Sequence, residues 1–241
     1  MIPAHTSPQE EIQALFDCQE EEQARLELTS SYQGMMLRQE IKPVAIDHQR
    51  AVFLAIDPCT CGALEGCVHL HSTCLSKPVK ARIKDLSPRS GMFSLTEFSY
   101  VEGGWQERLH ERVQTKKPAY VTMRYKEDRF RASLLDISLN GMGLLVGISG
   151  DPAINFQSNC SVCIDFETSP GFKWEKLGGA IHYQQKKSRL IVRLGIRLYP
   201  KLEQARQLEK YINIRKAEIK QELDEASFHS RISTGVEYQY F

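Results

Sequence analysis

Between Arg25 and Tyr100 apolar and polar side chains alternate in short runs, the period-two signature of strands with one buried face. The runs are Arg25 to Leu28, Met35 to Ile46, Ala51 to Ile56, Val68 to Leu75, Val79 to Lys84 and Met92 to Tyr100. Turn chemistry separates them: Asp57-Pro58, Gly62 and Ser87-Pro88-Arg89-Ser90-Gly91. After a joint at Gly103-Gly104 a second block repeats the habit from Tyr120 to Leu198. Its runs are Tyr120 to Met123, Phe130 to Ile137, Met142 to Val146, Cys160 to Phe166, Gly179 to Tyr183 and Leu190 to Leu198. Many short strands at such spacing predict barrels or sandwiches.

Helical patterns stand only at the two ends. Ser7-Pro8-Gln9-Glu10 reads as a capping box with Pro at the first helical position. Ile12, Leu15 and Phe16 then share a face, so a short helix is expected to end near Glu22, with Glu20 to Glu22 solvated. Pro200 marks the entry to a long helix from about Lys201 to about Ala226. Leu202, Ala205, Leu208, Tyr211, Ile212, Ile219 and Leu223 form its apolar stripe, suited to core packing or to a helix pair in a homodimer. The tail from Phe228 to Phe241 is expected to be poorly ordered. The chain thus reads as mainly β: two small barrels over 1–104 and 105–200, then a helix and tail over 201–241.

Composition excludes several classes. Lys and Arg total 31 against 30 Asp and Glu, so no global field draws the chain to nucleic acid or anionic lipid. No apolar run reaches the roughly 18–20 residues of a membrane span. The opening Met1-Ile2-Pro3-Ala4-His5 lacks the basic start and apolar stretch of a signal peptide, and a cytoplasmic location is expected. Seven cysteines in a reducing compartment are expected to be thiols or metal ligands rather than bridges.

One constellation carries chemistry. Arg108-Leu109-His110-Glu111-Arg112 is followed, after 23 residues, by Asp136-Ile137-Ser138-Leu139-Asn140-Gly141. Two arginines four apart can aim planar guanidinium forks at one phosphate-bearing ligand or stack on a purine. Asp136 can accept hydrogen bonds from a guanine edge, and Ser138 offers a hydroxyl to a phosphate oxygen. Gly141 permits a tight turn or a positive φ and lets backbone approach a ligand. Nothing in the set activates a nucleophile, so the chain is not expected to be an enzyme.

These residues resemble the signature of the PilZ family, RxxxR followed by [D/N]xSxxG, and the resemblance runs from about Trp105 to Pro200. Met142-Gly143-Leu144-Leu145-Val146 resembles the strand after the second motif half, and Val192 to Leu198 the family's final strand. The resemblance implies a six-stranded barrel that binds cyclic di-GMP on its outer face at Arg108, Arg112, Asp136, Ser138 and Gly141. It implies that the arginines lie on a flexible segment that wraps the ligand and reorients the neighbouring domain. It also implies a signal to a protein partner in motility, surface attachment or secretion, without a required cofactor. Family members that bind an intercalated dimer carry Gln-Arg-Arg-x-x-x-Arg. Here Gln106 matches but Glu107 replaces the first Arg, and a carboxylate there disfavours a second set of phosphates. One ligand per chain is expected.

The first block holds an echo. Ala81 to Met92 repeats the order aliphatic, Asp, Ser, Gly, Met found in Ala132 to Met142, with one residue more between Ser87 and Gly91. Either this block is a PilZ-like barrel, or two turns of similar composition coincide. No arginine pair precedes Asp85 at the right distance, so this barrel is expected to serve as a platform or partner surface without nucleotide. The block also gathers Cys59, Cys61, Cys67, His69, His71 and Cys74. Thiolates and imidazoles so close together suit Zn²⁺, and a zinc- or redox-sensing protein is the alternative reading. The bland one is a hairpin with a few buried thiols. Cys160 and Cys163 are expected to lie on a core strand, because no helix start follows them to make a redox CxxC.

Overall fold

The structure, a computed structural model, describes residues 7–17, 25–57, 61–64, 66–101, 110–148, 156–169 and 171–232, with side chains up to 225. It is mainly β. A short helix α1 (Pro8–Asp17) precedes six strands: β1 (Leu26–Tyr32), β2 (Met35–Ile46), β3 (Ala51–Ala55), β4 (Cys67–His71), β5 (Val79–Ser87) and β6 (Met92–Tyr100). Six more follow: β7 (Tyr120–Tyr125), β8 (Asp128–Ser138), β9 (Gly141–Gly147), β10 (Ser161–Thr168), β11 (Phe172–Lys186) and β12 (Ile191–Tyr199). Helix α2 (Leu202–Ile232) closes the order. Among the described residues no helix is long and apolar enough to cross a membrane.

Each set of six strands closes into a barrel, in the orders β1-β2-β3-β6-β5-β4 and β7-β8-β9-β12-β11-β10. Closure removes the free edges that an open sheet would present. The two orders are the same. They are also unchanged by a shift of three strands, so hairpin β5–β6 matches both β11–β12, by chain order, and β8–β9, by the shift. The sequence echo follows the second match: it relates two hairpins rather than two whole barrels read in register.

In the first barrel, Leu28, Phe53, Val68, Leu70, Phe93 and Leu95 fill the interior. Ile12 and Leu15 of α1 join that core, and the Phe16 ring tilts on Phe53 at 5.4 Å. The capping box forms as expected, with Glu10 N–H donating to Ser7 Oγ and Ser7 N–H to Glu10 Oε2. The predicted continuation towards Glu22 lies outside the described residues. Pro43, unable to donate to the ladder, sits at a register shift of β2 against β3.

The second barrel packs Met123, Ile137, Met142, Leu144, Ile164, Leu194 and Ile196 inward. Helix α2 buries Leu208, Tyr211 and Ile212 as its stripe predicts, and the Tyr211 ring meets Phe172 and Trp174 edge-on at 5.5 and 5.7 Å. Leu202, placed on that stripe by periodicity, is instead 71% exposed. Cys160 and Cys163 precede and occupy β10 as expected, yet Cys163 is not a core thiol. Val162 and Ile164 take the inward positions, and Cys163 Sγ lies half-exposed against the Arg124 guanidinium at 3.0 Å.

Candidate functional site

The site begins with a bulge. Strand β8 slips by one residue against β9 between Leu134 and Asp136. A slip of one inverts the alternation of side chains. Leu134 therefore points inward, Asp136 outward and Ile137 inward again. Without the extra residue Asp136 would share the core face of Leu134, where an unpaired carboxylate is costly. Just upstream of β7, Val113 and Ile137 exchange both backbone hydrogen bonds at 2.9 Å. That pair lays the end of the arginine segment beside Asp136.

The result is a short ion pair between the two motif halves. Arg112 Nη1 donates to Asp136 Oδ1 at 2.6 Å, with only 23% and 13% of the two side chains exposed. Partial burial and the charged bond make it stronger than a surface pair. Arg193 of β12 approaches the other oxygen, its Nη2 lying 3.8 Å from Asp136 Oδ2.

Glycines make room for these groups. A Cβ on Gly141 would stand 3.3 Å from Arg112 Nη2 and 3.2 Å from the Ile196 carbonyl, so the guanidinium lies across bare backbone. Gly141 does this without the positive φ that the sequence also allowed: it opens β9 in extended form. A Cβ on Gly143 would come 2.9 Å from Asp136 Oδ2. One on Gly195 would overlap the Tyr183 ring. Asp136 pairs with Gly143, Gly143 with Gly195, and Gly195 with Tyr183. A single row across four strands thus reads carboxylate, glycine, glycine, aromatic ring.

Ser138 closes β8. Its side chain is buried, and the hydroxyl donates to the Gly141 carbonyl at 3.1 Å, with Asn140 Oδ1 at 3.4 Å. It ties the turn that joins β8 to β9. Arg108, Gln106 and Glu107 lie outside the described residues. Downstream, the arginine segment is held by α2. Arg215, itself buried, donates from Nε to the Gln114 carbonyl at 2.9 Å and from Nη1 to Glu218 at 3.1 Å, while Lys216 pairs with Glu111.

Spacing alone did not reveal Arg193, Gly143, Gly195 or Tyr183. The glycines did leave a signal, since glycine inside a strand marks a close approach. Arg193 left none, because its nearness to Asp136 arises only when β12 pairs with β9 and β9 with β8.

Among the described residues the cysteine and histidine cluster of the first barrel does not assemble: no three of the candidate ligands come together. Cys67, His69 and His71 share the outer face of β4, where Val68 and Leu70 point inward. Cys61 instead enters the core, and burial pushes its thiol up to about 11, far from a ready metal thiolate. Cys74 is exposed, and Cys59 lies outside the described residues. Strand alternation and core packing separate residues that the sequence brings close.

Residues 106–213 match the family model described as the PilZ domain. No curated protein sequence matches the chain. Three solved structures are similar to the chain at low identity. YcgR from Escherichia coli, in complex with c-di-GMP, is 16% identical; the match covers 91% of this chain and 95% of that one, with a TM-score of 0.46. The K. pneumonia MrkH–c-di-GMP complex is 12% identical over 90% and 98%, at 0.47. The Bacillus subtilis inhibitor of motility MotI/DgrA is 15% identical over 82% and 98%, at 0.40. The family-model match thus falls on the second half of the chain, where both motif halves lie, and that half is similar to a PilZ domain.

Proposed function

We propose that the second barrel is a receptor for cyclic di-GMP, which it binds on the outer face formed by β8, β9 and β12. The observation that carries this reading is the contact of the two motif halves. Arg112 and Asp136, 24 positions apart in sequence, meet at 2.6 Å above the bare backbone of Gly141 and Gly143. A guanidinium beside a carboxylate on a glycine floor offers a phosphate oxygen its cation and a guanine edge its acceptor. Arg108 is the second phosphate clamp. Gly141 gives the ligand access to backbone, and Ser138 offers its hydroxyl to a phosphate oxygen. Domain limits of 105–200 fit this assignment, with 1–104 as platform.

Binding alters the interdomain arrangement and so signals to a protein partner. Family resemblance favours flagellar motility as the output. One ligand binds per chain, because Glu107 repels a second. Calorimetric titration of the pure chain with cyclic di-GMP tests the reading. The expected result is saturable micromolar or tighter binding at a stoichiometry of one, with GTP failing to compete. Absence of heat and of binding at micromolar ligand would overturn it, and a stoichiometry of two would overturn the role of Glu107.

A further inference from the structure

We propose that Arg193 is a further ligand-binding arginine, which supplies its guanidinium to the cyclic dinucleotide on the opposite side of Asp136 from Arg112. The inference rests on the cyclic di-GMP reading above and extends it to a residue outside both motif halves.

Three observations converge on Arg193. It sits on β12 opposite Leu145 of β9 and Gln185 of β11, one row from the Gly143–Gly195 pair and on the same outer face. Its side chain is 34% exposed, and its Nη2 stands 3.8 Å from Asp136 Oδ2. That distance gives charge attraction without a hydrogen bond. Its Nε is buried and has no hydrogen-bond partner among the described residues. A desolvated guanidinium N–H left without an acceptor is costly, and a turn of the side chain that brings it to strong acceptor oxygens removes the cost. A phosphodiester is such a partner, and a guanidinium fork matches its geometry. The two oxygens of Asp136 face different arginines, Arg112 at one and Arg193 at the other. A cyclic dinucleotide carries two phosphodiesters, so cations on both sides of the carboxylate suit it better than a cation on one.

The competing role for Arg193 is to steady Asp136 without touching the ligand. Calorimetric titration of cyclic di-GMP against wild type, Arg112→Ala, Arg193→Ala and Arg193→Gln separates the two. Arg193→Gln keeps much of the side-chain stem if the alanine variant folds poorly, which circular dichroism reports. Loss of one charged hydrogen bond predicts a fall in affinity of about tenfold or more for each Arg193 variant. The loss is expected to persist when Asp136→Asn is the starting point, because a direct ligand contact does not act through that carboxylate. Folded Arg193 variants that bind within twofold of wild type would overturn the proposal, as would an effect that vanishes in the Asp136→Asn background. Either result leaves the receptor reading intact provided that wild type binds and Arg112→Ala binds tenfold or more weakly. A wild type that ignores the ligand would end the receptor reading itself.

Discussion

Hairpins β5–β6 and β8–β9 share a device and differ in its use. Each slips by one residue ahead of its aspartate, between Ile83 and Asp85 in one and between Leu134 and Asp136 in the other. Each slip turns the acid outward. Across the ladder from Asp85 stands Ser94, whose hydroxyl donates to Asp85 Oδ2 at 2.8 Å and accepts from its N–H at 3.1 Å. Across from Asp136 stands Gly143, and the carboxylate lies down in the space a side chain would fill. Asp85 remains 60% exposed, with Arg50 at 3.3 Å, whereas Asp136 is 13% exposed and held between Arg112 and Arg193. A bulge aims a carboxylate; the residue opposite, and the arginines that reach it, decide whether it becomes part of a site.

Four substitutions test that contrast, from the largest effect to the smallest. Arg112→Ala should weaken cyclic di-GMP binding by tenfold or more, since a hydrogen bond to a charged group contributes about 1.5–3 kcal/mol. Isothermal titration reports it, and an unchanged affinity would detach the arginine segment from the site. Gly143→Ser converts the second hairpin to the pattern of the first. Its Cβ intrudes on the Asp136 carboxylate, and overpacking of that kind costs about 1–3 kcal/mol. Thermal melting and ligand titration should both decline; full retention of both would show that the glycine is dispensable.

The reciprocal change, Ser94→Gly, removes a hydroxyl that serves Asp85 twice and places glycine within a strand. Stability should drop by about 1–2 kcal/mol with ligand affinity unaltered. Chemical denaturation beside titration checks it, and a lowered affinity would mean that the first barrel contributes to binding. Asp85→Ala should do least. Its pair with Arg50 and its hydrogen bond from Ser94 are made by a carboxylate open to water, and such contacts contribute about 0–1 kcal/mol. A loss of several kcal/mol in denaturant would reveal a role for Asp85 that its solvation hides.

Much of this was legible in the chain itself. Strand runs and turn residues foretold both barrels because one-sided burial writes a period of two. Of the candidate site residues, the structure brings Arg112, Asp136 and Gly141 together. Where the reading stopped, the cause is three-dimensional. Arg193 acquires its place only when β12 pairs with β9 and β9 with β8. Cys61 and His69 looked like co-ligands along the chain, but one enters the core and the other stays on the outer face of a strand. Proximity in sequence is poor evidence of convergence when alternation sends neighbours to opposite faces.

Helix α2 looks like an appendage to the barrel, yet Arg215 anchors the carbonyl two residues beyond Arg112. A shortened protein ending at Tyr199 would retain every letter of the motif and lose the mooring that gives its arginine a bearing. Under the proposed reading, minimal fragments trimmed to the barrel alone would then bind the dinucleotide more weakly than the whole chain.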